Sequence, residues 1–132
     1  MTDRRRFSGK RFGPNGEYAS RQELQLHVNY PGIEYQPKIR ITYSQDYAYL
    51  PDFRLGVDEE TGLAVYVEAK EIFLADMAAK YEAVVDCNGG MHLLIVTPNI
   101  RTLDLKRLNA HPRITVIVSR NIIPMEWLNR CK

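Results

Sequence analysis

The apolar and polar positions of this chain change period twice, and the changes outline a mixed α/β fold. Ser20-Arg21-Gln22-Glu23 has the Ser-x-x-Glu spacing of a helix capping box. It predicts a helix from Ser20 to Asn29, with Leu24 and Val28 one turn apart on its apolar face and Pro31-Gly32 ending it. Residues 33–43 read as extended, with Ile39 and Ile41 alternating against Lys38, Arg40 and Thr42. Tyr47 to Leu55 is aromatic-rich and extended, Asp58 to Gly62 is a polar turn, and Leu63 to Ala69 is the next strand. The period then becomes helical. Phe73, Met77, Tyr81 and Val84 or Val85 fall three or four residues apart in a predicted helix from Phe73 to Cys87, stopped by Asn88-Gly89-Gly90. Leu93 to Val96 is a continuous apolar run, as in a strand buried on both faces. A helix over Thr102 to Asn109, another buried strand over Ile114 to Val118 and a helical turn over Pro124 to Leu128 complete the chain. The order α-β-β-β-α-β-α-β predicts one mixed sheet with helices on its faces, in a single domain without repeats.

Composition narrows the setting. A chain of 132 residues suits one domain. No apolar run approaches the roughly 20 residues that cross a bilayer, so no membrane partner is expected. No apolar signal-peptide core follows Met1-Thr2-Asp3-Arg4-Arg5-Arg6, and the expected location is the cytoplasm. Cys87 and Cys131 lack metal-ligand spacing and read as thiols. The net charge of +2 is unevenly spread. Residues 1–11 hold five of the 18 basic side chains (Arg4, Arg5, Arg6, Lys10 and Arg11) and one of the 16 acidic ones, so the remainder is net −2. A basic arm over residues 1–17, ahead of a domain over 18–132, suits contact with phosphates; a solvated tail is the plainer alternative.

The candidate chemistry lies in Pro51-Asp52 and Glu68-Ala69-Lys70, which together spell P-D-x15-E-x-K. Side chains alternate along a strand, so Glu68 and Lys70 share one side while Val67 and Ala69 share the other. Apolar residues on both sides, followed by two charges on one, mark a site at a strand end. Mg²⁺ takes hard oxygen ligands and keeps several waters. Asp52 and Glu68 supply such oxygens, and the backbone carbonyl of Ala69 is a further candidate. Lys70 supplies positive charge near a phosphate or the attacking water. Singly, Asp52 also fits a turn residue after proline, and Glu68 with Lys70 fits a solvated ion pair. Glu23 has two readings: capping residue, which accounts for its position, or a further carboxylate of the site. His27, His92 and His111 are isolated and read as packed or surface residues, Lys80 as a solvated helix residue, and Trp127 as a core anchor.

Pro51-Asp52-Phe53, Val67-Glu68-Ala69-Lys70 and Ile123-Pro124-Met125-Glu126-Trp127-Leu128 together resemble the phage endonuclease I family, the Holliday junction resolvases of podophages within the PD-(D/E)xK nucleases. The likeness runs in order from Ser20 to Leu128. The first two motifs point only to the superfamily; the Ile-Pro-x-Glu-Trp ending narrows it. The resemblance implies a restriction-endonuclease-like core and cleavage of branched double-stranded DNA, four-way junctions above all, by paired nicks during recombination. It implies Mg²⁺, one or two ions per site, with Mn²⁺ as a substitute. It makes Glu23 a catalytic carboxylate and metal or water ligand beside Asp52, Glu68 and Lys70. It also implies an intertwined homodimer with composite sites, Glu23 reaching the partner's site.

Two features depart from the family pattern. The connection from Asp52 to Glu68 is longer, with the surplus at Asp58 to Gly62, where insertion costs little. The sequence stops four residues after Leu128 without a Lys-rich tail, which shifts the expected DNA contact to the N-terminal arm. Alternative functions are a PD-(D/E)xK nuclease of another purpose (restriction, transposon-end or repair nickase) and a catalytically silent DNA-binding protein of this fold.

Overall fold

The computed structural model describes residues 11–42 and 48–132, with the side chain of residue 42 left out. It is a mixed α/β protein. Five strands form one sheet in the order β1-β4-β5-β6-β7: β1 (Glu34–Tyr35), β4 (Phe53–Val57), β5 (Ala64–Ala69), β6 (Met91–Thr97) and β7 (Ile114–Val118). β1, β4 and β5 pair antiparallel, while β5, β6 and β7 pair parallel. A separate two-stranded ladder joins β2 (Ile41–Thr42) to β3 (Ala48–Tyr49). The helices are α1 (Arg21–Asn29), α2 (Met77–Asp86), α3 (Thr102–Asn109) and α4 (Met125–Arg130). Each parallel pair is linked through a helix, as a crossover requires.

Two apolar clusters sandwich the sheet. Tyr66, Leu93 and Ile95 pack with Tyr81, Val84 and Val85 of α2, Leu108 of α3, and Ile41 and Tyr49 of the small ladder. Phe53, Val65, Val67, Leu94 and Val96 pack with Leu26 of α1 and Trp127 of α4 on the other face. Strand alternation sets this division: Val65 and Val67 go one way, Tyr66 and Glu68 the other. Every residue of β6 is buried, as its unbroken apolar run predicts. Trp127 is in the core, and Cys87 and Cys131 are not joined in a disulfide.

Several expectations change. Residues 33–42 hold two short strands, not one, while Tyr43 and Tyr47, at the ends of two expected extended runs, lie outside the described residues. Gln36 turns the backbone to φ +48, and Pro37 has no N–H for a ladder. α2 begins at Met77 instead of Phe73. The Phe73 N–H donates to the Asn99 carbonyl (3.1 Å), which holds Phe73 in the preceding loop while its ring packs against Tyr81. α1 buries Gln22, Glu23 and Leu26, and its predicted apolar-face residue Val28 is 61% exposed. Polar partners explain that rotation, as the site geometry makes plain. The turn after β4 is not merely solvated: Asp58 is fully buried and takes two hydrogen bonds from Arg130.

Arg4, Arg5, Arg6 and Lys10 lie outside the described residues. Arg11 is described and exposed; its guanidinium donates to the carbonyls of Gly16 and Glu17 across a turn closed by Phe12 and Tyr18. No helix among the described residues is long and apolar enough to cross a membrane.

Candidate active site

The antiparallel register of β4 and β5 brings Asp52 to Glu68. Phe53, the first residue of β4, pairs with Val67, which puts Asp52 at the strand end next to Glu68. β4 ends there, and the Asp52 side chain takes over the role of its ladder: Oδ2 accepts the Ala69 N–H at 2.9 Å. Asp52 is thereby fastened to the peptide between Glu68 and Lys70. Lys70 follows on the Glu68 face, its Nζ 3.6 Å from Glu68 Oε2. The exposures are 1% for Asp52 and 0% for Glu68, while the Lys70 side chain is 23% exposed.

A buried carboxylate is costly unless its oxygens are paired. Two tyrosines meet that need at Glu68. Tyr49 of β3 donates to Oε1 at 2.7 Å, and Tyr81 of α2 donates to Oε2 at 2.9 Å. Their rings meet edge-on, with centroids 6.0 Å apart. The sequence pattern marks Tyr81 only as a core position and Tyr49 only as part of an aromatic run. No spacing signal distinguishes a core tyrosine that donates to a carboxylate from one that simply packs.

α1 approaches from the opposite face of the sheet. Gln22 donates through Nε2 to the Val96 carbonyl at 3.0 Å. The same carbonyl accepts the Lys70 N–H at 3.0 Å, so α1, β6 and the end of β5 share one acceptor. Glu23 is buried beside it. Its backbone N–H donates to Ser20 Oγ at 3.1 Å, while its carboxylate accepts from the Ser20 hydroxyl at 3.1 Å and from the Tyr35 hydroxyl at 2.8 Å. Ser20 is therefore the N-cap, and the Glu23 carboxylate is tied to the Ser20 hydroxyl while it also reaches β1. Tyr35 also accepts from Gln36 Nε2 (2.9 Å), and the Gln36 N–H donates to the Asp52 carbonyl (2.7 Å). Glu23 thus connects to the Asp52 backbone through Tyr35 and Gln36. α1 packs on the sheet of its own chain through Leu26.

Asp52, Glu68, the Ala69 peptide and Lys70 are brought together; Glu23 sits on the neighbouring network. Among the described residues, no three His, Cys, Asp or Glu side chains form a metal-holding group. Two carboxylates satisfy the Mg²⁺ preference for hard oxygens, since that ion takes one or two protein carboxylates and completes its shell with water and phosphate. Each carboxylate oxygen also has more than one lone-pair position, so the tyrosine and peptide donors leave the donor set compatible with an ion. The formal charge of Asp52, Glu68 and Lys70 is −1, which a divalent cation offsets.

The three histidines have partners elsewhere in the fold. His92 Nε2 lies 2.9 Å from Thr115 Oγ1, and the ring faces Trp127 at 4.8 Å. Burial pushes the His92 imidazole down to about 4, and the nearby Arg130 charge acts in the same direction. His27 pairs with the Tyr18 hydroxyl, and His111 with Asp86. Lys80 lies over the Tyr81 ring at 5.6 Å. No family model, curated protein or solved structure matches this chain.

Proposed function

We propose that the protein is a Mg²⁺-dependent endodeoxyribonuclease with a PD-(D/E)xK core that cuts branched DNA, four-way junctions in particular. One observation carries the reading. Asp52 and Glu68 lie side by side across two antiparallel strands, Asp52 is bound to the Ala69 N–H, and Lys70 follows on the Glu68 face. The resemblance to endonuclease I supplies the substrate class.

Asp52 and Glu68 are the residues that would hold the ion, with the Ala69 carbonyl and Glu23 as further oxygen donors. When bound, Mg²⁺ supplies charge neutralisation at the phosphate and acidifies a ligated water. Lys70 places an ammonium beside Glu68, where it stabilises developing negative charge and orients water. As an ammonium it donates protons and does not accept one. The bond of Asp52 to the Ala69 peptide keeps the two carboxylates in a constant relation as substrate enters. Arg4, Arg5, Arg6, Lys10 and Arg11 contribute sequence-independent phosphate contact. A homodimer completes the reading, because a two-fold enzyme presents two sites to two strands of a junction.

The test is cleavage of a labelled four-way junction, a nicked duplex and a linear duplex with Mg²⁺ or with EDTA. Junction cleavage by paired nicks, dependent on Mg²⁺, is expected. Equal cutting of all three substrates would remove junction selectivity. Sequence-dependent cutting of the linear duplex would favour a restriction or nickase role. Binding without cutting in any divalent metal would leave a silent DNA-binding protein.

A further inference from the structure

Glu68 is held by two hydroxyls that come from separate parts of the fold. Tyr49 belongs to the small β2–β3 ladder and Tyr81 to α2. Both rings are buried in the same apolar cluster as Phe73, Leu93 and Ile95. Phenylalanine would fill nearly the same volume, so packing alone does not call for either hydroxyl. Both hydroxyls reach one group: Tyr49 fastens Oε1 at 2.7 Å and Tyr81 fastens Oε2 at 2.9 Å. With both oxygens tied, the carboxylate plane has little freedom to rotate. Lys70 approaches Oε2, the oxygen that also accepts from Tyr81. The position of the lysine and the orientation of the carboxylate are therefore linked through one atom.

We propose that Tyr49 and Tyr81 are positioning residues that orient Glu68 for a divalent metal. The proposal rests on the reading of Asp52 and Glu68 as metal ligands. Hydrogen bonds to a ligating side chain fix its direction before the ion arrives, and losing one typically costs about 10–100-fold in metal affinity or activity. A donor that merely satisfied a buried oxygen would instead show its loss in stability alone. The two roles predict different data from the same conservative change.

The experiment uses the full chain as wild type, Tyr49→Phe, Tyr81→Phe and Glu68→Gln. Mn²⁺ binding is measured directly by calorimetry and by electron paramagnetic resonance. The Mg²⁺ concentration for half-maximal junction cutting is measured in parallel, with thermal unfolding of the metal-free proteins as a check on folding. The tyrosine near-ultraviolet difference spectrum on adding Mg²⁺ supplies a further readout. Each Tyr→Phe protein should bind Mn²⁺ about tenfold more weakly and need correspondingly more Mg²⁺, with cutting largely restored at saturating metal. The wild-type spectrum should change on adding metal, and the Tyr81→Phe change should be smaller. Unchanged metal affinity in both folded Tyr→Phe proteins, with metal binding intact in wild type, would overturn the positioning role while leaving the nuclease reading in place. Failure of wild type to bind Mn²⁺ more tightly than Glu68→Gln would overturn the metal site, and the positioning role with it. If either variant is unfolded, the other and the wild-type spectrum decide, and a metal-independent wild-type spectrum counts against the proposal.

Discussion

Replacing Asp58 with Asn separates the stability of this fold from its candidate chemistry. Asp58 lies just beyond the end of β4 opposite to Asp52. Its fully buried carboxylate accepts from the Glu60 N–H (2.9 Å), the Thr61 hydroxyl (3.0 Å), Arg130 Nε (3.2 Å) and Arg130 Nη2 (2.5 Å). The Arg130 hydrogen bonds lead in holding its carboxyl at about 2, below the ordinary 3.8. Because the folded value is depressed, the stabilisation is complete above 3.8 and disappears as pH falls through about 2. That gap corresponds to about 2 kcal/mol. The Arg130 side chain is 26% exposed, and screening there leaves about 1–2 kcal/mol. In a chain of 132 residues this is a loss of about 4–7 °C in Tm. An Asn at 58 keeps the shape but turns one NH₂ toward a donor. Thermal and urea unfolding of wild type and Asp58→Asn, followed from pH 7 to pH 2, should give a constant difference down to about pH 5, then a shrinking one. A difference that persisted undiminished at pH 2, or no difference at pH 7, would refute the clamp. The Mg²⁺ dependence of junction cutting should not move.

Four further substitutions test other parts of the structure. Glu68→Gln or Asp52→Asn should lower single-turnover junction cleavage by on the order of 10²–10³ or more, while gel-shift affinity for uncut junction is retained; near-normal cutting would remove that residue from the site. Gly56→Ala should destabilise by about 1–3 kcal/mol, read by thermal denaturation. Gly56 has φ +148, and an added Cβ would lie 2.8 Å from the Lys132 carbonyl oxygen, where residue 132 pairs with Val57. Gln22→Ala should cost about 0.5–1.5 kcal/mol, read by thermal denaturation, because it removes one buried hydrogen bond while the Val96 carbonyl keeps its Lys70 donor.

Local chemistry accounts for much that the chain discloses without its fold. The Ser20 cap, the helical period of Met77, Tyr81 and Val84, and the buried run in β6 all sit where neighbouring residues dictate, whereas β7, expected to be buried, is the sheet edge, with only Ile114 and Val116 buried and Val118 57% exposed. The pairing of Glu68 with Lys70 on one face follows from alternation alone. The nearness of Asp52 to Glu68 needed only a hairpin in the right register, although the bulge between Arg54 and Gly56 is not evident from spacing. α1 shows where local reasoning stops. Its apolar residues point to Leu24 and Val28, yet the helix turns Gln22 and Glu23 inward, because distant partners at Val96 and Tyr35 satisfy them.

What the sequence determined by itself is the kind of chemistry available: two carboxylates, a lysine and a strand end to carry them. Tertiary structure alone decided how those groups are held. Burial of Glu68 depends on β3 and α2 closing over it, and burial of Asp58 depends on Arg130, 72 residues away, reaching back to it. Spacing and period describe neighbours along the chain. The partners of a buried charge are chosen by packing between elements, which no local pattern records.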